Sequence, residues 1–151
     1  MKKIDAYFND YGSYHPTNAN KICHVFGIGL IVVSLLGLLD QIEFFDWQMS
    51  VKGSAALVLF LASNIFYIML DIKVGLAMIA ATSIAYFVGT QFSLTVLWSL
   101  FAAGWIFQGI GHYVFEKKSP AFTKNLVHLF IGPAYLLHYY LLTKPSSRVA
   151  P

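Results

Sequence analysis

Five histidines are the side chains of this 151-residue sequence that are best suited to chemistry. His15 and His24 flank the start of one apolar run, His112 ends another, His128 begins the last, and His138 lies farther along it. With the orientation argued below, the first four lie at one membrane level, which indicates a site more than scattered polar groups. Neutral imidazoles with few thiolates suit iron, zinc or copper. We therefore treat these four as candidate metal ligands.

The spacing gives two of the histidines a polar neighbour one helical turn away. Asn20 precedes His24 by four residues and Glu116 follows His112 by four, so each pair shares a helix face. A metal-bound imidazole commonly passes its second N–H to a carboxylate or carbonyl, and Asn20, Gln108 and Glu116 are candidates for that role. A single histidine near a membrane interface is more often a hydrogen-bonded structural residue than a metal ligand. The prediction of a metal site therefore depends on the two pairs together.

The composition tells which elements position these side chains. Hydrophobic residues make up 58% of the chain and charged residues only 11%, whereas a soluble domain carries about 25% charge. Uncharged runs extend over residues 22–39, 53–70, 74–115 and 125–143. Runs of about 18 or more such residues are typical of membrane spans, so a soluble enzyme is excluded.

We predict an all-α integral membrane bundle of about five helices, forming one domain over residues 1–151. Lipid tolerates only hydrogen-bonded backbone, so the apolar runs are helical. The predicted helices cover about residues 18–39, 51–70, 74–88, 93–115 and 125–142, with a turn at Gly89, Thr90 and Gln91. The last helix is predicted to be broken at Gly132 and Pro133.

The basic residues orient the bundle. Cytoplasmic loops carry the excess of lysine and arginine, and a cytoplasmic N-terminus places seven such residues inside against three outside. The membrane is then a bacterial inner membrane or the endoplasmic reticulum. The net charge of +3 comes without a basic stripe, so we expect no nucleic-acid partner. The inside set is Lys2, Lys3, Lys21, Lys73, Lys117, Lys118 and Lys124, and the outside set is Lys52, Lys144 and Arg148.

Two motifs carry a resemblance to a known family. They are YGSYHPTNANKICH, which ends at His24, and QGIGHYVFEKKSPAFTKNLVHLFIGP, which begins at Gln108 and ends at Pro133. Together they resemble the membrane-embedded 2-hydroxy fatty acid dioxygenases. The segment between them matches that family only in being hydrophobic.

The resemblance implies an Fe(II)-dependent dioxygenase that uses O2 to remove one carbon from a long-chain 2-hydroxy fatty acid drawn from the lipid bilayer. The histidines of the family correspond to His15, His24 and His112, and we add His128 as a metal ligand on its depth and location. The catalytic group is expected to be His24, His112 and Glu116, and the substrate is expected to contact Tyr11, Lys117 and Lys118.

Two other functions remain open from the residues alone. One is a non-enzymatic membrane bundle that binds haem or a lipid, in which two histidines on facing helices would flank a porphyrin-sized gap. The other is a zinc-dependent membrane hydrolase, for which Glu116 is the obvious general base.

Overall fold

The computed structural model describes residues 3–47, 51–123 and 125–143, and within them the chain is mainly helical. Two α-helices continue as π-helices: α5 as π1 (Ile110–Glu116) and α6 as π2 (His138–Leu142). The other elements are α1 (Lys3–Ser13), α2 (Asn18–Asp40), β1 (Glu43–Trp47), β2 (Val51–Ser54), α3 (Ala55–Leu70), α4 (Ile72–Gly89), α5 (Leu94–Gly109), a 3-10 turn (Ala121–Thr123) and α6 (His128–Leu137).

Within the described residues, three helices are long and apolar enough to cross a membrane, by length and composition: α2, α4, and α5 together with π1. The apolar helix α3 has 16 residues and is about 24 Å long, which is shorter than a hydrocarbon core of about 30 Å. The turn between α4 and α5 falls where the sequence predicts it, because α4 ends at Gly89 and α5 begins at Leu94. The all-α architecture of a membrane protein is therefore confirmed.

The second predicted helix begins later than expected. Residues Val51–Ser54 form a β-strand that pairs antiparallel with Glu43–Trp47, with Trp47 opposite Val51 and Glu43 opposite Ser54. Ser54 then caps α3, since its hydroxyl accepts a hydrogen bond from the Leu57 N–H at 3.3 Å. The prediction of helix from Val51 was wrong for these four residues, and the hairpin and helix α1 were not predicted.

The predicted break at Gly132 and Pro133 is also wrong. Helix α6 runs through Pro133, and the departure from α-helix comes at His138, where π2 begins. Proline at position 133 lacks the N–H that would bond to the Leu129 carbonyl, but the α-helix continues to Leu137. Membrane helices tolerate proline in this way more often than soluble helices do.

Glycine pairs bring the long helices into backbone contact. A Cβ atom on Gly27 of α2 would lie 2.9 Å from the Gly104 carbonyl oxygen of α5, and one on Gly37 would lie 2.7 Å from that of Gly89 in α4. Small residues at helix crossings are how membrane helices pack closely. The α2–α5 crossing matters for the site, since these helices carry His24 and lead to His112.

Helix α1 lies against α6 at the end of the bundle where the histidines gather. Its buried side chains Ile4, Phe8 and Tyr11 join one apolar core with Ile131 and Ala134 of α6. Helix α1, which the uncharged runs did not predict, therefore covers the end of the bundle that holds the histidines.

Candidate metal centre

His15 follows α1 and is fixed by main-chain and ring contacts. Its Nδ1 donates a hydrogen bond to the Tyr11 carbonyl oxygen at 2.7 Å, and its ring stacks on the Tyr11 ring with centroids 4.0 Å apart. Pro16 then prevents α1 from continuing, and Thr17 caps α2 by accepting a hydrogen bond from the Asn20 N–H at 3.3 Å. With Nδ1 donating, the lone pair of His15 is on Nε2.

His24 and His112 have the same arrangement on two other elements. The Nδ1 of His24 donates to the Asn20 carbonyl oxygen at 3.0 Å, so Asn20 serves this histidine through its backbone. The Nδ1 of His112 faces Glu116 Oε2 at 3.7 Å across one turn of π1. Backbone carbonyls thus orient His15 and His24 through Nδ1, as proteins commonly orient metal-binding imidazoles, whereas Glu116 faces His112 beyond hydrogen-bond distance.

The three imidazoles converge from three separate segments. Their ring centroids are 4.6 Å apart for His15 and His24, 5.0 Å for His15 and His112, and 4.8 Å for His24 and His112. One ligand nitrogen of each lies within 4.8 Å of the others, and the Nε2 atoms of His24 and His112 are 3.1 Å apart. We call these three residues the histidine cluster.

The donor set of the histidine cluster fits a metal ion. Two imidazole nitrogens at about 2.0–2.1 Å from one ion lie roughly 3 Å apart, and the His24–His112 separation has this value. Burial lowers the pKa of His15 to about 4, although the hydrogen bond to the Tyr11 carbonyl acts to raise it, so this imidazole is neutral near pH 7. Neutral imidazole is the form that binds metal ions. The neighbouring Tyr11 hydroxyl is also neutral, because burial raises its pKa well above the usual range.

Glu116 is held behind His112 by the start of α2. Its Oε1 accepts hydrogen bonds from the Thr17 N–H at 3.5 Å and from the Thr17 hydroxyl at 3.4 Å. The side chain is only 1% exposed, and the positive end of the α2 dipole favours a carboxylate there. The carboxylate therefore lies on the Nδ1 side of His112, away from the nitrogens that converge.

Two buried carboxamides near the histidine cluster carry unpaired polar atoms. Both side-chain polar atoms of Asn20, and the Nε2 of Gln108, are buried without a hydrogen-bond partner. Gln108 lines a cavity of about 70 Å³ together with all three histidines of the cluster. Buried unpaired donors are costly, so they indicate groups that a bound molecule would satisfy.

His128 lies beside the cluster without being part of it. It lines the same cavity, but its Nε2 is 2.9 Å from Asp10 Oδ2, and its Nδ1 is buried without a partner. Its ring makes edge contacts with Tyr11 at 5.8 Å and a tilted contact with Tyr14 at 5.6 Å. The structure thus brings three of the four predicted ligands together, and metal binding by His128 stays a prediction.

Of the three residues predicted to contact substrate, one lines the histidine cavity and two do not. Tyr11 is buried and lines the cavity. Lys117 and Lys118 are exposed on the turn after π1, where Lys117 has a left-handed backbone with φ of 53°, and neither lines the cavity. His138 packs its ring against Phe8 at 5.0 Å, and its Nδ1 lies 3.2 Å from the Thr143 hydroxyl.

Three contributors to the site were not identified from the sequence. Asp10 pairs with His128, Thr17 contacts Glu116, and Gly111 lets π1 approach α2, because a Cβ atom there would collide with the Asn20 carboxamide. The first two contacts join residues about a hundred positions apart, and local spacing carries no signal for them. Gly111 stands next to His112, which was a usable hint of close approach.

The geometry also bears on the two other functions. Two Nε2 atoms 3.1 Å apart leave no room for a porphyrin between His24 and His112. Glu116 is engaged with Thr17 and faces Nδ1 of His112, so it is not placed as a general base on the side where the Nε2 atoms meet. Neither the haem site nor the zinc hydrolase is favoured by these positions.

Comparison with known proteins gives two matches and one negative result. The family described as "2-hydroxy-palmitic acid dioxygenase Mpo1-like" matches residues 1–144. The 2-hydroxy-palmitic acid dioxygenase MPO1 of Saccharomyces cerevisiae is 31% identical over 141 residues, which cover 89% of this chain and 76% of the yeast protein. No solved structure matches the chain.

Proposed function

Since this chain belongs to the Mpo1-like family, we propose that it is an iron-dependent dioxygenase that shortens long-chain 2-hydroxy fatty acids by one carbon with O2. The observation that carries the proposal is the convergence of three buried histidines, each with its Nδ1 beside an oxygen. In the overall reaction the bond between C1 and C2 breaks. C2 becomes the carboxyl carbon of the shorter acid, C1 leaves as CO2, and O2 is reduced to the level of water.

We propose that His15, His24 and His112 hold the ferrous ion. Bound there, the ion supplies the redox chemistry that O2 requires, and three protein ligands leave positions for small molecules. The protein contributes orientation, because the Tyr11 and Asn20 carbonyl oxygens fix two of the rings and the Glu116 carboxylate lies 3.7 Å from the Nδ1 of the third. His24 and His112 act as the catalytic ligands in this proposal, and Glu116 is a positioning residue.

We assign the polar end of the substrate to Gln108. It lines the histidine cavity with an unpaired Nε2 donor, which suits the carboxylate or the 2-hydroxyl of the acid. The Asn20 carboxamide lies at the α2–π1 contact, where Gly111 leaves space for it. The Tyr11 side chain closes the cavity from α1 and keeps its hydroxyl protonated because burial raises its pKa.

The site lies at the end of the bundle that the lysine distribution assigns to the cytoplasm. We propose that the N-terminus and α1 lie on that side, in a bacterial inner membrane or the endoplasmic reticulum. The exposed Lys117 and Lys118 then stand near the headgroup level and attract the anionic acid to the site without lining it. Reporter fusions at the two termini and after α4 would test this orientation.

The proposed function is tested with detergent-purified protein loaded anaerobically with Fe(II). On addition of air and 2-hydroxypalmitic acid, we expect pentadecanoic acid, with one O2 consumed per product and label from C1 recovered as CO2. Palmitic acid, which lacks the 2-hydroxyl, should give no product, and a chelator should abolish activity until Fe(II), but not Zn(II), is restored. An iron-loaded, folded protein that consumes no O2 would contradict the proposal.

A further inference from the structure

A second and larger cavity lies beside the histidine cavity. It has a volume of about 620 Å³ and is lined by α2, α4 and α6 with π2. Along α2 its wall extends from Ile22 to Val33, which is about 17 Å of helix. Thr82 and Tyr140 are its residues with side-chain polar atoms, and the Thr82 hydroxyl already donates to the Met78 carbonyl at 2.7 Å. The cavity is therefore an apolar groove.

Small residues create the space in this groove. Gly29 of α2 and Ala81 and Ala85 of α4 line it. A Cβ atom added at Gly29 would have no other atom within 4 Å, in contrast to Gly27 and Gly37 on the same helix, which contact neighbouring helices. Larger residues at the three lining positions would fill the groove without disturbing a helix crossing.

The groove adjoins the histidine cavity. Ile28, Val32 and Pro133 line both spaces, so the apolar groove and the cavity of the three imidazoles meet at these residues. Several lining residues, among them Ile22, Val25 and Phe26, are exposed at the surface of α2. The groove is thus open on the side that would face lipid and bounded on the other by the proposed reaction site.

We infer that this groove binds the acyl tail of the substrate and sets the chain length that the enzyme prefers, an inference that rests on the proposed function. Its volume falls in the range of small-molecule sites, roughly 300–1,000 Å³. Its length of about 17 Å matches one acyl tail, since a hydrocarbon core of about 30 Å holds two leaflets. Its shared wall with the histidine cavity places the tail where the polar end reaches Gln108.

The inference predicts how affinity depends on chain length. For substrate monomer that binds from water, each methylene buried in an apolar site contributes about 0.8 kcal/mol, which is about fourfold in affinity. A side chain that displaces two or three methylenes should therefore lower the preference for a long substrate by at least tenfold. A short substrate, whose tail ends before the added side chain, should be affected much less.

The first test uses Gly29→Leu and Ala85→Leu, with Ala102→Leu as the matched control. Ala102 is exposed on α5 and lines neither cavity. We expect the ratio of kcat/KM for 2-hydroxypalmitic acid to that for 2-hydroxylauric acid to fall at least tenfold in the groove variants. The control ratio and the iron content of all three proteins should be unchanged. An unchanged ratio in active groove variants would overturn the inference.

A second measurement separates the groove from the chemistry. A 2-hydroxy fatty acid with a diazirine at the end of its tail is photolysed with the iron-loaded protein under anaerobic conditions, so that no turnover is needed. Labels on the groove walls of α2, α4 or α6 that 2-hydroxypalmitic acid displaces would support the inference even if no turnover is found. Labels found only outside the groove would overturn it. Crosslinks that show a second copy of the chain packed in the groove would also overturn it.

Discussion

The Nε2 atoms of His24 and His112 lie 3.1 Å apart, and each belongs to a ring whose Nδ1 faces an oxygen. Because the Nδ1 of His24 donates to the Asn20 carbonyl, its Nε2 carries a lone pair, which accepts a hydrogen bond when the Nε2 of His112 is protonated. A metal cation would take the place of that proton, and His15 would supply a third nitrogen to it. This pairing is the basis for the first prediction.

Replacing any residue of the histidine cluster with alanine should remove the metal. We expect His15→Ala, His24→Ala and His112→Ala each to weaken iron binding by more than the roughly 10–100-fold that loss of an outer partner costs. Metal content by mass spectrometry on anaerobically purified protein measures this, and His138→Ala, outside the cluster, is the control. Full iron content in His112→Ala would show that the site is assigned wrongly.

Glu116 should act on iron through His112. We expect Glu116→Ala to weaken iron binding roughly 10–100-fold, and Glu116→Gln to weaken it less, because the amide still faces Nδ1 of His112. Competitive titration with a chromophoric chelator measures the affinity. Equal affinities for all three proteins would leave Glu116 as a structural cap on α2.

Gln108 should contribute to substrate binding and not to metal binding. A hydrogen bond to a charged group is worth about 1.5–3 kcal/mol, so Gln108→Leu should lower kcat/KM for a 2-hydroxy acid roughly 10–150-fold. Iron content should stay at the wild-type value. The methyl ester of the same acid is the control, since it lacks the charge and should show a smaller loss. The same loss for acid and ester would place the Gln108 contact away from the carboxylate.

Gly111 should be required for the contact between α2 and π1. An added methyl group collides with the Asn20 carboxamide, and overpacking of this kind costs about 1–3 kcal/mol of unfolding free energy. Gly111→Ala should therefore lower both thermal stability and iron content, whereas Gly109→Ala, whose Cβ meets no atom within 4 Å, should change neither. Recovery of iron in the double variant Asn20→Ala with Gly111→Ala would identify the collision as the cause.

The prediction that His128 also binds metal can be settled by replacing it. Its Nε2 is engaged by Asp10 and it lies outside the histidine cluster, so we expect His128→Gln to keep its iron. Stability should fall by about 1–3 kcal/mol, because the link between α6 and α1 is lost. Asp10→Asn should reproduce the stability change. Loss of iron from His128→Gln equal to that from His112→Ala would instead make it a fourth ligand.

The sequence predicted the long apolar helices and the pairing of Glu116 with His112, because both follow from local patterns. Uncharged length marked α2, α4 and α5, and the spacing of four residues placed Glu116 beside His112. The pairing of Asp10 with His128 and of Thr17 with Glu116 could not be predicted, since each depends on how distant segments meet. Pro133 led to the wrong prediction of a break in α6, because the missing N–H alone does not tell whether the helix continues past it.

The histidine cluster draws its members from the end of α1, from α2 and from π1, and His24 and His112 are 88 positions apart. An unfolded chain therefore has no chelating site, and a metal ion held by the cluster would bind the native state alone. A metal at a hundred times its dissociation constant then adds about 2.7 kcal/mol to stability. We expect iron starvation to shorten the lifetime of the protein in the cell, so that its abundance follows the iron supply.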